Sequence, residues 1–396
     1  MRVAGIDVGS KRHVVAIVSE ATQAVLVKPT PFREEAAGYE KLFELLGSPN
    51  DLLVAMEATG IYGRNLFLGL SERGYRVAML NPLRTYRFAQ EDLRRAKNDS
   101  IDALGIACFA AQKRPDPTPT FDESTTQLRE YVRLFDRFTQ DYGDRRRQLH
   151  RVVHLCFPEF THHVRSLNTQ RAVSILAAHP TAEDFSSSCL DELAGLRYDG
   201  QHVVGRELAG ALVNTAENSV ARHRGPAFRT EVQHFCHDLE RLRVTLRGLH
   251  LEIDRWVGEN PVAALLATID GLGTLSVARI VAAVGDPARF RNGAALAAYV
   301  GVVPGTKESG LRQGRRATLC PLGNARLRHA LYMTTLGAVR TNPWLRAFYE
   351  RLRANGKLPK VALLAAMRKL LTAVYSVAKH RKPFVPREPT TKNPPK

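Results

Sequence analysis

Two runs of heptad spacing constrain the middle of this 396-residue chain more than any other feature. Leu128, Tyr131, Phe135, Phe138, Tyr142, Arg145, Leu149, Val152 and Cys156 follow one another in alternating steps of three and four. Val232, Phe235, Leu239, Leu242, Leu246, Leu249, Ile253 and Trp256 do the same. A mean period of 3.5 residues keeps one row of side chains on one side of a helix, and such a row is a coiled-coil seam. The two seams pair with each other within the chain or across a subunit interface. The chain is also longer than one compact core usually organises, so two or three domains are expected. Between the runs the pattern is one of short helices and loops with no legible role.

Residues 1–118 read as α/β. Val3 to Val8 and His13 to Ser19 are β-rich runs joined by Gly9-Ser10-Lys11, which predicts a hairpin. Ala24 to Lys28 is a candidate third strand. Glu34 to Leu46 has helical spacing, Leu52 to Met56 is a buried-strand run, Tyr62 to Glu72 is helical and Tyr75 to Leu80 is a further strand. Antiparallel strands followed by a strand–helix–strand unit suggest the mixed sheet of ribonuclease-H (RuvC) type. No glycine-rich phosphate loop follows the first strand, which argues against a plain nucleotide-binding sheet.

Pro115, Pro117 and Pro119 break the chain before the first heptad run, giving boundaries of 1–118 for the α/β domain and 119–259 for a helical coiled-coil region. A helical C-terminal domain spans 260–380. Within it, Leu265 to Val284 reads as helix–turn–helix about Asp270-Gly271-Leu272-Gly273. Residues 301–324 form a glycine- and arginine-rich loop, and Leu327 to Val339 and Val361 to Ala378 are apolar helices. The proline- and lysine-rich tail, 381–396, is expected to be disordered.

The net charge of +18 is carried partly by clusters such as Arg94-Arg95, Arg145-Arg146-Arg147 and Arg315-Arg316, which points to a polyanionic partner. The five cysteines are scattered and form no CxxC pair, as expected for reduced thiols in a cytoplasm. The N-terminus enters a strand at once and is not a signal peptide. No apolar run is read as a membrane span.

Four carboxylates carry the candidate chemistry. Asp7 closes the run Val3-Ala4-Gly5-Ile6, and Glu57 closes Leu52 to Met56. Asp99 and Asp102, three apart on one face, open a helix-like stretch from Asn98 to Gln112. Ile101, Leu104 and Cys108 are expected to dock that helix. Clustered carboxylates suit Mg²⁺, a hard cation, and two such ions can clamp the attacking and leaving oxygens of a phosphodiester. Each carboxylate also has a plain structural role open to it, as a turn residue, a strand end or a helix-dipole partner.

The Gly271-Leu272-Gly273 turn has the form of a helix-hairpin-helix, whose amides near Thr274 can meet a phosphate. An ordinary helix connection has the same form. Ser309, between a charged residue and a glycine, has the plain form of a loop serine; Lys307, Arg312, Arg315, Arg316, Arg326 and Arg328 are the nearby cations that could hold a phosphate against it. His150, His154, His162 and His163 have no ligand partners at metal spacing and read as surface or core residues.

The pattern Gly5-Ile6-Asp7-Val8, then Met56-Glu57-Ala58-Thr59-Gly60, then Lys97-Asn98-Asp99-Ser100-Ile101-Asp102-Ala103 resembles the DEDD transposases of the bacterial IS110 insertion-sequence family and their Piv-type invertase relatives. Leu296 to Pro304, Ser309-Gly310, Gly323 to Arg328, Asn342-Pro343 and Phe348-Tyr349 are similar to that family's second domain. Asn98 stands where the family often has threonine, and Pro321 where a basic residue is common. The resemblance implies a RuvC-like nuclease domain, a helical linker and a transposase domain. It further implies Mg²⁺ at Asp7, Glu57, Asp99 and Asp102, Ser309 as nucleophile, donor and target DNA as substrates, and a structured guide RNA. The expectation is therefore a homo-oligomeric DNA recombinase that mobilises its own element. A RuvC-like nuclease using water and a non-catalytic nucleic-acid scaffold are the rival readings.

Overall fold

The computed structural model describes residues 1–58, 60–91, 99–305, 318–319 and 323–386. They divide into two compact units, Met1–Phe121 and Asp122–Lys396.

The first unit is built on a five-stranded mixed sheet. Its strands are β1 (Arg2–Asp7), β2 (Arg12–Ser19), β3 (Val25–Arg33), β4 (Leu52–Glu57) and β5 (Arg76–Leu80), in the order β3-β2-β1-β4-β5. β1–β2 and β2–β3 pair antiparallel, whereas β1–β4 and β4–β5 pair parallel. The hairpin and all five anticipated strands are present. β3 runs five residues beyond the expected end at Lys28, through Pro29 and Pro31. It is an edge strand, where a missing N–H leaves no ladder bond unmade.

Helices α1 (Ala36–Leu46) and α2 (Arg64–Glu72) cover one face of the sheet. There Leu42, Leu46, Leu66 and Leu70 bury against Ala4, Ile6, Val54 and Met56. The other face carries α3 (Pro82–Glu91), which the sequence reading did not anticipate, and α4 (Asp99–Lys113). Their core joins Val3, Leu53 and Ala55 to Phe88, Ile106, Ala107 and Ala110.

The second unit opens with α5 (Glu123–Cys156), capped by Asp122, whose carboxylate accepts from the Thr125 amide at 2.7 Å. Five shorter helices follow: α6 (Phe160–His163), α7 (Gln170–Ala178), α8 (Ala182–Ser186), α9 (Leu190–Gly195) and α10 (Arg206–Glu217). The chain then returns along α11 (Pro226–Glu259). α5 and α11 lie antiparallel within one chain. The Trp256 indole N–H donates to Ser124 Oγ at one end of the pair, Arg145 meets Asp238 at 2.9 Å, and Arg151 meets Glu231 towards the other end. Seam residues Leu128, Leu149, Val152, Val232, Leu239 and Ile253 are buried, but Phe138, Tyr142, Leu246 and Leu249 in the middle are only half-buried. The segment between the heptad runs packs its own core on Phe157, Phe160 and Phe185.

At the opposite end of the pair stands a helical core of α12 (Pro261–Leu266), α13 (Thr274–Val284), α14 (Gly293–Val300), α15 (Ala325–Thr341), α16 (Pro343–Ala354) and α17 (Pro359–His380). A two-stranded ladder, β6 (Pro304–Gly305) with β7 (Thr318–Leu319), interrupts it. Contrary to the sequence reading, α17 is long and apolar enough for a membrane span by length and composition. Its Met367, Leu370, Leu371 and Val374 are buried in this core, so the helix is accounted for by packing. The start of the tail is also held: Phe384 stacks edge-on against Trp344, and Arg381 pairs with Asp286. Residues 387–396 lie outside the described residues.

Candidate functional site

Asp7 and Glu57 end neighbouring parallel strands. Ile6 stands beside Met56 in the register, so the next residue of each strand is an acid. Side chains alternate across a sheet. Val3 and Leu53 lie on the α4 face, and Asp7 and Glu57 follow in the same alternation. Both acids therefore belong to the face covered by α4, at its carboxyl end.

The start of α4 meets that end because its docking surface is small. A Cβ built on Gly5 would lie 2.3 Å from the Ala103 carbonyl and 2.3 Å from the Ala107 amide. Ala103 also packs on Val14 and Ala16 of β2. The buried residues of α4 are thus Ala103, Ile106, Ala107, Phe109, Ala110 and Ala111. Of the residues expected to dock the helix, Leu104 and Cys108 pack partly buried against this core, and Ile101 is partly buried. Large side chains would hold α4 off the sheet, and alanines let backbone meet backbone. Asp102 immediately precedes the contact residue Ala103, and Asp99 lies one turn ahead of it. The side chain of Asp99 lies outside the described residues.

Glu57 is held by a residue that sequence reasoning missed. The Thr85 hydroxyl, buried on α3, donates to Glu57 Oε1 at 2.5 Å. Asn81-Pro82 was the available signal: Asn81 Oδ1 accepts from the Leu83 amide at 2.9 Å, and proline suits a first helical position. Among the described residues, no three His, Cys, Asp or Glu side chains gather closely enough to form a metal centre. The donor set of Asp7, Glu57 and Asp102 is nevertheless all hard oxygen, the chemistry that suits Mg²⁺ or a similar cation.

In the second unit, Lys307, Ser309, Arg312, Arg315 and Arg316 lie outside the described residues. The base of their loop is described. β6 and β7 pair Pro304 with Leu319 and Gly305 with Thr318. Below them Gly323, at φ +108°, passes so close to Gly301 that a Cβ would sit 2.7 Å from its Cα. The Asn324 amide donates to the Tyr299 carbonyl at 3.1 Å, and Asn324 Oδ1 caps α15 by accepting from the Leu327 amide at 3.0 Å. The Gly323-Asn324 pair thereby pins both ends of the loop. Arg328 donates to the Val300 carbonyl at 3.2 Å, whereas Arg326 is exposed.

The helix–turn–helix about Gly271 forms as expected between α12 and α13. Gly271, at φ +82°, is pressed on α15, where a Cβ would lie 2.7 Å from Ala338 Cα. Thr274 donates its hydroxyl to Asp254, and nothing crowds Gly273. The Asn342-Pro343 motif closes the same corner. Buried Asn342 donates to the Asp270 carbonyl at 2.9 Å and caps α16 through the Leu345 amide.

Comparison with known proteins adds an independent finding. A family described as Transposase, of the DEDD IS110 type, matches residues 4–158, and one described as Transposase IS116/IS110/IS902 family matches residues 263–350. The mini-circle putative transposase for IS117 of Streptomyces coelicolor is 26% identical over 96% of this chain and 94% of its own length. An uncharacterized 43.6 kDa protein of insertion element IS110 from the same organism is 24% identical over 94% of this chain and 93% of its own. The pilin gene-inverting protein of Moraxella bovis is 34% identical over 32% of this chain, a match that spans 39% of that protein. Both models describe transposases, which sets the class of this chain. The chain belongs to the IS110 family of insertion-sequence transposases.

Proposed function

We propose that this transposase cleaves and rejoins DNA at a RuvC-like centre, with Ser309 as nucleophile. The observation that carries the reading is the placement of Asp7 and Glu57 at the ends of adjacent parallel strands, on the face where α4 begins with Asp99 and Asp102. The sheet order β3-β2-β1-β4-β5, with its first three strands antiparallel, agrees with a ribonuclease-H-like fold. In this reading 1–118 is the nuclease domain, 119–259 a linker, 260–380 the transposase domain and 381–396 a basic tail.

In this reading Asp7, Glu57, Asp99 and Asp102 would hold Mg²⁺, and the ion would offset the negative charge that develops during phosphoryl transfer. Thr85 fixes the Glu57 carboxylate in one orientation. The Ser309 hydroxyl attacks a backbone phosphorus, a P–O bond to deoxyribose breaks, and the released sugar hydroxyl takes up the proton. The serine phosphodiester conserves bond energy, so attack by the sugar hydroxyl of another strand restores DNA and frees the serine without an external energy source. Lys307, Arg312, Arg315, Arg316, Arg326 and Arg328 offset phosphate charge. The turn at Gly271 and Gly273, with the helix start at Thr274, touches the backbone without reading sequence. Sequence choice falls to a bound guide RNA, for which the +18 charge supplies the electrostatic attraction. The protein works as a homo-oligomer, because exchange of several strands needs several active sites.

The decisive test is a labelled duplex incubated with protein and Mg²⁺, then denatured and resolved on a gel. A covalent adduct is expected for the native chain and not for Ser309→Ala, which should still bind DNA. Cleavage that never yields an adduct would replace the serine by metal-activated water. Recombination that survives complete removal of RNA would refute the guide.

A further inference from the structure

One end of the sheet carries cations beside its carboxylates. Asp7 pairs with Val14, Val14 with Pro31, and Arg12 with Arg33. Cross-strand partners share a face. Val14 packs against Ala103 of α4, so Asp7, Arg12 and Arg33 belong to that same face. β2 starts and β3 finishes where β1 finishes. Along this one sheet end the strands therefore present, in order, Arg33, Arg12, Asp7 and Glu57. With strands about 4.8 Å apart and a rise of about 3.4 Å per residue, the Cα atoms of Arg33 and Asp7 stand roughly 12 Å apart.

Like charges directly opposite each other on a sheet are destabilising. Arg12 and Arg33 are both exposed, and neither has an ion-pair partner among the described residues. They border a cavity of about 450 Å³ with Pro31, Gly38, Lys41 and Glu35. Gly38 brings α1 close enough that a Cβ would meet the Arg33 carbonyl at 2.2 Å, and Lys41 Nζ donates to the Pro31 carbonyl at 3.2 Å. Glu35 is the one acid in the lining, and it forms no ion pair with either arginine. The repulsive pair is backed by a part-buried strut. His13 Nε2 and the Tyr39 hydroxyl both hydrogen-bond Glu34 Oε2, at 2.6 and 2.8 Å. Burial, then the Glu34 carboxylate, pushes the Tyr39 phenol well above its usual range.

We infer that Arg12 and Arg33 form a phosphate clamp for the DNA strand that enters the carboxylate centre. A backbone phosphate seated there relieves the arginine–arginine repulsion. The clamp lies a few nucleotides from the scissile bond, given a rise of about 3.4 Å per nucleotide along one strand. The inference rests on the proposed function only in taking the carboxylate end as the place of cleavage. The clamp itself needs no sequence and no chemistry.

The test uses the full chain and fluorescein-labelled DNA of arbitrary sequence, single-stranded and duplex, titrated across a salt series. For Arg12→Ala with Arg33→Ala, affinity should fall on the order of tenfold and the log–log salt slope by about two. Arg33→Glu gives a readout that a merely structural role would not move. It should raise the melting temperature, because a like pair becomes an opposite pair, while weakening DNA binding further than Arg33→Ala. Unchanged affinity and salt slope in the double alanine variant would overturn the clamp. So would Arg33→Glu binding as tightly as the native chain. A clamp that binds normally in a chain that never cleaves DNA would leave this inference standing and remove the catalytic reading instead.

Discussion

The carboxylate end of the sheet and the glycine-pinned loop on α14–α15 solve the same problem by different means. In the first, regular structure does the placing. Asp7 and Glu57 are strand ends, and α4 is seated by Gly5 and Ala103 rather than by large apolar groups. In the second, the proposed serine and cations lie between the described anchors: the β6–β7 ladder, the Gly301–Gly323 contact and the Asn324 cap. A site on strand ends inherits its precision from hydrogen-bond register. A site on a loop inherits it from the few residues that fix the loop's base. Mutation should therefore damage the two regions differently.

The largest effect is expected at the acids. Asp7→Ala, Glu57→Ala and Asp102→Ala should each abolish strand exchange, losing several kcal/mol of barrier stabilisation, with the fold intact by circular dichroism. Near-normal recombination by all three would break the comparison outright. Next, Gly5→Ala should cost about 1–3 kcal/mol through overpacking. Hydrogen exchange should accelerate in α4 and remain unchanged in α15. Gly323→Ala should do the reverse, abolishing the serine adduct while leaving metal binding by calorimetry intact. Equal effects of both variants on both readouts would show that the regions are not separable. Asn342→Ala removes a cap and a buried hydrogen bond together and should cost about 2–3 kcal/mol, seen as a lower melting temperature. Thr85→Val should lower kcat by about tenfold and stability by only about 1 kcal/mol, as expected for a single hydrogen bond.

The smallest effect lies away from both regions. Burial pushes the Cys156 thiol up to about 11 and the Cys236 thiol up to about 12, from a usual value of 9. The unfolded chain ionises these thiols first, so their contribution to stability is complete below about pH 9 and is lost as pH rises towards 11 to 12. At pH 8 a thiol reagent should label exposed Cys189 rapidly and leave Cys156 and Cys236 unmodified until the chain unfolds.

The sheet was legible because its signals are local: short apolar runs, a polar turn and an acid at each of two strand ends. Four of its five strands were found close to their full extent. β3 was cut short because Pro29 and Pro31 look like breakers until the strand is known to be an edge. The docking face of α4 was read only in part, for a similar reason. Ile101, Leu104 and Cys108 flank the contact, but the sheet offers a glycine at Gly5, and Ala103 and Ala107 make the closest approach to it. Gly5 itself carried the signal, since glycine inside a strand often marks a close backbone approach. Arg12 and Arg33 were invisible as a pair, because cross-strand register joins residues 21 positions apart. The roles of Asn324 and Asn342 emerge only when a cap and its tertiary partner are seen together.

The antiparallel pair α5–α11 has a mechanical consequence. Each helix has 34 residues, which at 1.5 Å per residue gives a rod about 50 Å long. The aromatic module of α6–α10 rides at the far end of this rod, and the α12–α17 core holds the near end. A tilt of about 6° at the held end would carry the module through roughly 5 Å, more than the 3.4 Å rise of one nucleotide along a DNA strand. The middle of the seam, around Tyr142 and Leu246, is half-buried. Small rearrangements at the base of the hairpin are thereby amplified at its tip into steps on the scale of the nucleic acid itself.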